Sequence, residues 1–113
     1  FISLCEHHLL PFFGSFDLAV FPTSKIAGIS KFSDLINHLS NDLTLQEKIT
    51  KQTAEIIHRE LDPEGELARV TAKHLCSDLM NPKSSITDII TTFSTGIYEI
   101  DYTLRAEALT NFK

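Results

Sequence analysis

Cys5-Glu6-His7-His8 sets a thiol and an imidazole three positions apart, with a second imidazole beside them. Thiolate sulfur and imidazole nitrogen are the donors that zinc takes in tetrahedral sites, so Cys5 and His8 make half of one. His74-Leu75-Cys76 is the obvious supplier of the rest. Along an extended strand, alternation points His74 and Cys76 to the same side. Cys5, His8 and Cys76 would form a three-ligand set that leaves the fourth position to water, and a bound metal makes that water far easier to deprotonate. His7 cannot readily point the same way as its neighbour His8, and His74 shares a face with Cys76. Imidazoles titrate near pH 6.5, so both are candidates for acid–base catalysis. Two other roles stay open for His74, a fourth structural ligand or a hydrogen-bonding group, and His7 could instead brace a ligand. The cysteines alone are compatible with a disulfide, two buried thiols or a shared metal; the histidines around both favour the metal.

These groups must be carried by a small scaffold, and the chain reads as strand, strand, helix, helix, strand, strand. Phe1-Ile2-Ser3-Leu4 is strand-like, and residues 12–21 alternate with Phe16, Leu18 and Val20 on one face before Pro22 ends the run. Pro11 separates this strand from the Cys5 to His8 loop or bulge. Ser30 is a candidate N-cap for a helix whose stripe is Phe32, Leu35, Ile36, Leu39 and Leu43. Asn41-Asp42 marks a break, after which Leu45, Ile49, Ile56 and Leu61 draw a longer helix ending near Asp62-Pro63. Thr44 and Glu47 have capping-box spacing. Residues 66–75 return to period two, 78–85 form a polar excursion, 86–98 give another strand, and 102–112 a terminal helix on Leu104 and Leu109. The expected fold class is α+β, an antiparallel four-stranded sheet with two helices between the strand pairs.

With 113 residues, 42% of them hydrophobic, the chain supports one domain over 1–113. A formal charge of −5 gives no general attraction to nucleic acid or to an anionic membrane. No run reaches the roughly 20 apolar residues of a membrane span and no signal peptide opens the chain, so a reduced, cytoplasmic protein is expected. Phe1 stands where an initiator Met would, which suggests that the chain begins inside a larger protein.

Cys5-Glu6-His7-His8-Leu9-Leu10-Pro11-Phe12-Phe13-Gly14, Gly28-Ile29-Ser30-Lys31, Leu45-Gln46-Glu47-Lys48-Ile49-Thr50 and His74-Leu75-Cys76 together resemble GTP cyclohydrolase I. The similarity runs through nearly the whole chain and covers that family's catalytic domain without its N-terminal helices. The resemblance implies the tunnelling fold, in which sheets join into rings, commonly decamers, with active sites at subunit boundaries. It implies Zn2+ on Cys5, His8 and Cys76, catalysis by His7 and His74, and recognition of the guanine edge by Gln46 and Glu47. Ser30 and Lys31 match groups that meet the phosphates. The implied reaction opens the imidazole ring of GTP at C8, releases formate and yields 7,8-dihydroneopterin triphosphate for folate or pterin synthesis.

The phosphate end departs from the family pattern. Where an arginine usually follows the lysine by three residues this chain has Asp34, and the arginine and glycine beyond the last zinc cysteine are Met80 and Asn81. An aspartate repels a triphosphate, and methionine offers none of arginine's N–H donors. Lys25, Lys31, Lys73, Lys83 or a neighbouring subunit could compensate. Two further readings are therefore carried: a related zinc hydrolase on a less phosphorylated purine or pterin, and a non-catalytic ligand-binding or assembly subunit.

Overall fold

The computed structural model describes residues 1–6, 9–75 and 88–112. Two strands open the chain, β1 (Ile2–Cys5) and β2 (Pro11–Phe21), followed by α1 (Ile29–Ser40), β3 (Leu43–Thr44) and α2 (Gln46–Leu61). Then come β4 (Gly65–His74), β5 (Ile89–Gly96), the single-turn α3 (Ile97–Ile100) and α4 (Tyr102–Asn111). The strands lie in the order β3-β1-β2-β4-β5. All neighbours are antiparallel except β1 and β3, which run parallel through Leu4 opposite Leu43 and Cys5 opposite Thr44.

The α+β class and the helix pair between strand pairs stand as expected, but the sheet is mixed and has a fifth strand. β3 spans only two residues, too few for an alternating pattern to announce it. It takes Leu43 out of the helical stripe and leaves that side chain 49% exposed at the sheet edge. The other departures are local. Pro11 is the first residue of β2, a strand position that tolerates a missing N–H. Gly28, in extended backbone, occupies the N-cap of α1, so Ser30 lies within the first turn and caps nothing. Leu45 occupies the N-cap of α2, and no side chain caps that end, so the Thr44–Glu47 box does not form. The Thr44 backbone is instead engaged in β3, where its carbonyl accepts from Glu6 N–H. The last strand stops at Gly96, which has φ +57° and a would-be Cβ 2.0 Å from Glu64 O. Only glycine fits there, and the chain turns into α3 with Tyr98 buried.

The core sits on the face of β2 and β4 that carries Phe12, Phe16, Val70 and Ala72, with Cys5 and Leu45 packed into it. α2 crosses β4 and β5, while α1 lies over Phe16, Leu18 and Val20 of β2. Ser3 Oγ donates to Ser40 O at 2.8 Å and so ties the end of α1 to β1. On the opposite face Arg69 pairs with Asp17 at 3.1 Å and lies 5.0 Å from the ring centroid of Phe112, just beyond α4. No helix among the described residues is long and apolar enough to cross a membrane.

Candidate active site

β1, β2 and β4 bring two of the chemically capable side chains to one end of the sheet. Cys5 closes β1, Phe12 follows the turn into β2, and the ladder sets Phe12 directly opposite His74, the last residue of β4. The Cys5 side is shaped by backbone: Cys5 N–H donates to Leu10 O at 2.9 Å, and Leu9 N–H returns to Cys5 O at 2.8 Å. Leu9 takes φ 55°, a left-handed conformation that costs a branched residue about 1–2 kcal/mol and marks a turn held by its surroundings. The Cys5 thiol is buried and in no disulfide.

His74 is half-buried, with its ring stacked on Phe12 at a centroid distance of 4.8 Å and an interplanar angle of 4°. Its Nε2 lies 2.6 Å from Gln46 Oε1. The Gln46 amide nitrogen donates to Ile89 O at 2.8 Å and Val70 O at 3.1 Å, and lies 3.3 Å from Thr91 Oγ1. Gln46 is 1% exposed. It joins the start of α2 to both β4 and β5 and reaches His74 with its remaining atom. Burial pushes the His74 pKa below the usual imidazole value, and the neighbouring Glu47 carboxylate pulls it partly back. The ring is therefore predominantly neutral at neutral pH and able to accept a proton.

Glu47 sits exposed in the first turn of α2, next to Gln46, so its carboxylate is available to a ligand at this end of the sheet. Ser30 and Lys31 are exposed on the first turn of α1. Lys31 lines an apolar groove with Ile56, Ile57, Glu60 and Leu61, the far end of α2. At 1.5 Å per residue, that end lies roughly 15 Å or more along the helix from Gln46. One copy of the chain thus joins Cys5, Gln46, Glu47 and His74, and holds Ser30 and Lys31 apart from them. His7, His8 and Cys76 lie outside the described residues, as do Met80, Asn81 and Lys83. Among the described residues no three His, Cys, Asp or Glu side chains converge as a metal site.

Comparison with known proteins settles the family. The GTP cyclohydrolase I family model matches residues 1–113. This chain belongs to the GTP cyclohydrolase I family. It is 42% identical over 110 residues to GTP cyclohydrolase 1 of Clostridioides difficile, covering 96% of this chain and 58% of that protein. It is 41% identical over 113 residues to the Fusobacterium nucleatum enzyme, covering 100% and 60%, and 38% identical over 110 residues to that of Latilactobacillus sakei, covering 96% and 58%. The chain spans about three-fifths of the length of these curated relatives.

For a GTP cyclohydrolase I family chain, two features of this site were not legible in the motifs. Phe12 is the wall against which the His74 ring is flattened; its alternation in β2 showed the face, but only strand register showed the partner. Gln46 has its amide engaged inside the fold rather than displayed to a ligand. A lone glutamine at a helix start reads as surface, and no sequence pattern shows that two strand carbonyls lie within its reach.

Proposed function

We propose that this domain catalyses hydrolytic opening of the guanine imidazole ring of GTP, with release of formate and formation of 7,8-dihydroneopterin triphosphate. The observation that carries the reading is the placement of His74, stacked on Phe12 and anchored at Nε2 at the Cys5 end of the sheet. A buried thiol outside any disulfide, with an imidazole and a second thiol in the motifs beside it, suits zinc, and Cys5, His8 and Cys76 would hold it. When bound, zinc supplies Lewis acidity and eases deprotonation of water.

His74 has the geometry of the proton carrier. Water addition at C8 releases a proton, and cleavage of the C–N bond needs one at the departing nitrogen; a neutral imidazole can take the first and return it for the second. His7, next to a ligand in sequence, is the assisting group. Glu47 is suited to the guanine edge, because an ionised carboxylate only accepts and the N1–H and 2-amino group only donate.

Ser30 and Lys31 serve the phosphates across a subunit boundary, since within one copy they sit at the far end of α2 from His74. That separation supports a homo-oligomer with the tunnelling fold, in which sheets continue into a ring, a decamer by family likeness, with shared sites. Nucleic acid and membrane are not partners in this reading. A reducing cytoplasm suits it, because thiolate ligands there stay free of disulfides. Asp34, exposed on α1 one turn from Lys31, favours a second reading in which the substrate carries fewer phosphates.

The deciding measurement is formate release from GTP by the metal-replete protein, with oxidation of the product to a fluorescent pterin. Both signals, abolished by chelation, are expected. Tight GTP binding by fully metallated protein without formate would leave a binding subunit instead. Higher kcat/KM on GDP, GMP or guanosine than on GTP would favour the less phosphorylated substrate. Full activity in a monomer would defeat the shared site.

A further inference from the structure

The contacts of Gln46 determine which nitrogen of His74 can work. Backbone carbonyls only accept hydrogen bonds, so the side-chain atom of Gln46 that meets Val70 O and Ile89 O at 3.1 and 2.8 Å must be the NH2 group. Its oxygen then faces His74 Nε2 at 2.6 Å. An amide oxygen is also only an acceptor, so Nε2 must carry the proton and donate it. Rotation of Gln46 by half a turn would put its oxygen against two carbonyl oxygens and its NH2 against Nε2, losing the donor bonds inside a site where Gln46 is 1% exposed. The parallel Phe12 ring at 4.8 Å confines the imidazole to a plane, so a turn of the ring out of line with Gln46 would also cost this stacking.

We propose that Gln46 is a positioning residue that accepts the Nε2–H of His74 and so fixes which ring nitrogen carries the proton, leaving Nδ1 as the basic nitrogen of the ring. The inference rests on the reading of His74 as proton carrier, and it gives Gln46 a role other than contact with the guanine edge. The path runs from sheet to imidazole: the carbonyls of β4 and β5 orient the amide, the amide selects the tautomer, and the tautomer selects the reacting atom. The orienting group on a histidine decides its tautomer in the same way wherever one nitrogen must act as a base.

Neutron diffraction from crystals of the metal-loaded protein at neutral pH reads the tautomer directly. Deuterium on Nε2 with Nδ1 bare is expected; deuterium on Nδ1 with Nε2 bare overturns the proposal. Two variants then separate positioning from packing. Gln46→Met loses both the donors to Val70 O and Ile89 O and the acceptor for Nε2, whereas Gln46→Glu keeps an oxygen acceptor for Nε2 and, when protonated, one O–H donor. Gln46→Met should lower kcat at least about tenfold with KM within about twofold, and Gln46→Glu should recover much of that loss. Equal damage in both variants, or a raised KM for GTP at unchanged kcat, overturns the proposal in favour of packing or purine contact. If either variant fails to fold, the deuterium position in the unsubstituted protein still decides. Full kcat in His74→Ala would remove the acid–base reading itself, a result distinct from a wrong tautomer.

Discussion

His74 and Lys31 present opposite designs within one small chain. His74 is held by a strand ladder, an aromatic face and a buried amide, which fix its ring and engage its Nε2. Lys31 sits on an exposed first turn, one turn from the acidic Asp34. In the proposed function the difference follows from what each end would do. Proton transfer requires atoms placed to within a fraction of an ångström, so its group is over-determined by the fold. Attraction of phosphate works at longer range and can be supplied by mobile cations or by a neighbouring subunit.

Breaking the over-determined end should produce the largest effects. Cys5→Ser should cost roughly a thousandfold or more in turnover together with bound metal, read by formate release and metal content; full metal occupancy in the variant would remove Cys5 from the ligand set. His74→Ala should retain metal and lose about 10²–10⁴ in kcat. Equal metal loss in both variants would make His74 a ligand rather than a proton carrier. Glu47→Ala should raise KM for GTP about tenfold with a smaller change in kcat, and unchanged kinetics would return Glu47 to a solvent-facing role. At the loose end, Asp34→Asn should improve kcat/KM for GTP only a few-fold, more at low salt than at high salt. An equal gain for guanosine would show that Asp34 does not sense phosphate.

Glu66 is the control, at the opposite end of β4 from His74. Its side chain is fully buried on β4, with Oε2 3.5 Å from His58 Nδ1. Burial pushes its pKa up, and Thr95 and His58 offset part of the rise. The folded protein therefore holds this proton more tightly than the unfolded chain does. The resulting stabilisation is full below the unfolded carboxyl pKa and is lost as pH rises through the folded one. Glu66→Gln should flatten that dependence and gain stability relative to the unsubstituted protein at pH 8, read from urea midpoints at pH 5 and pH 8. Catalysis should not change. An unaltered pH dependence of stability would assign the effect to another group.

Much of the scaffold was legible because amphipathic repeats are long enough to read. The alternation of Phe16, Leu18 and Val20, the stripe of Phe32, Leu35 and Ile36, and the run from Ile49 to Leu61 each became the element their period implies. Short or conditional features escaped. β3 is stabilised by its pairing with β1 and not by its own two residues, and the N-caps shifted because Gly28 and Leu45 adopt extended backbone where a polar side chain was expected to cap.

The residues alone determined the candidate chemistry. Donor type is a property of the side chain, so Cys5, His7, His8, His74 and Cys76 indicated metal and proton transfer before any fold was known, and the combined motifs indicated the family. Tertiary structure decided what lies against what. It stacked Phe12 on His74, buried Gln46 between two strand carbonyls and that imidazole, and put Lys31 at the opposite end of α2 from Glu47. Those relations depend on strand register and helix packing between residues up to dozens of positions apart, and local periodicity does not encode them.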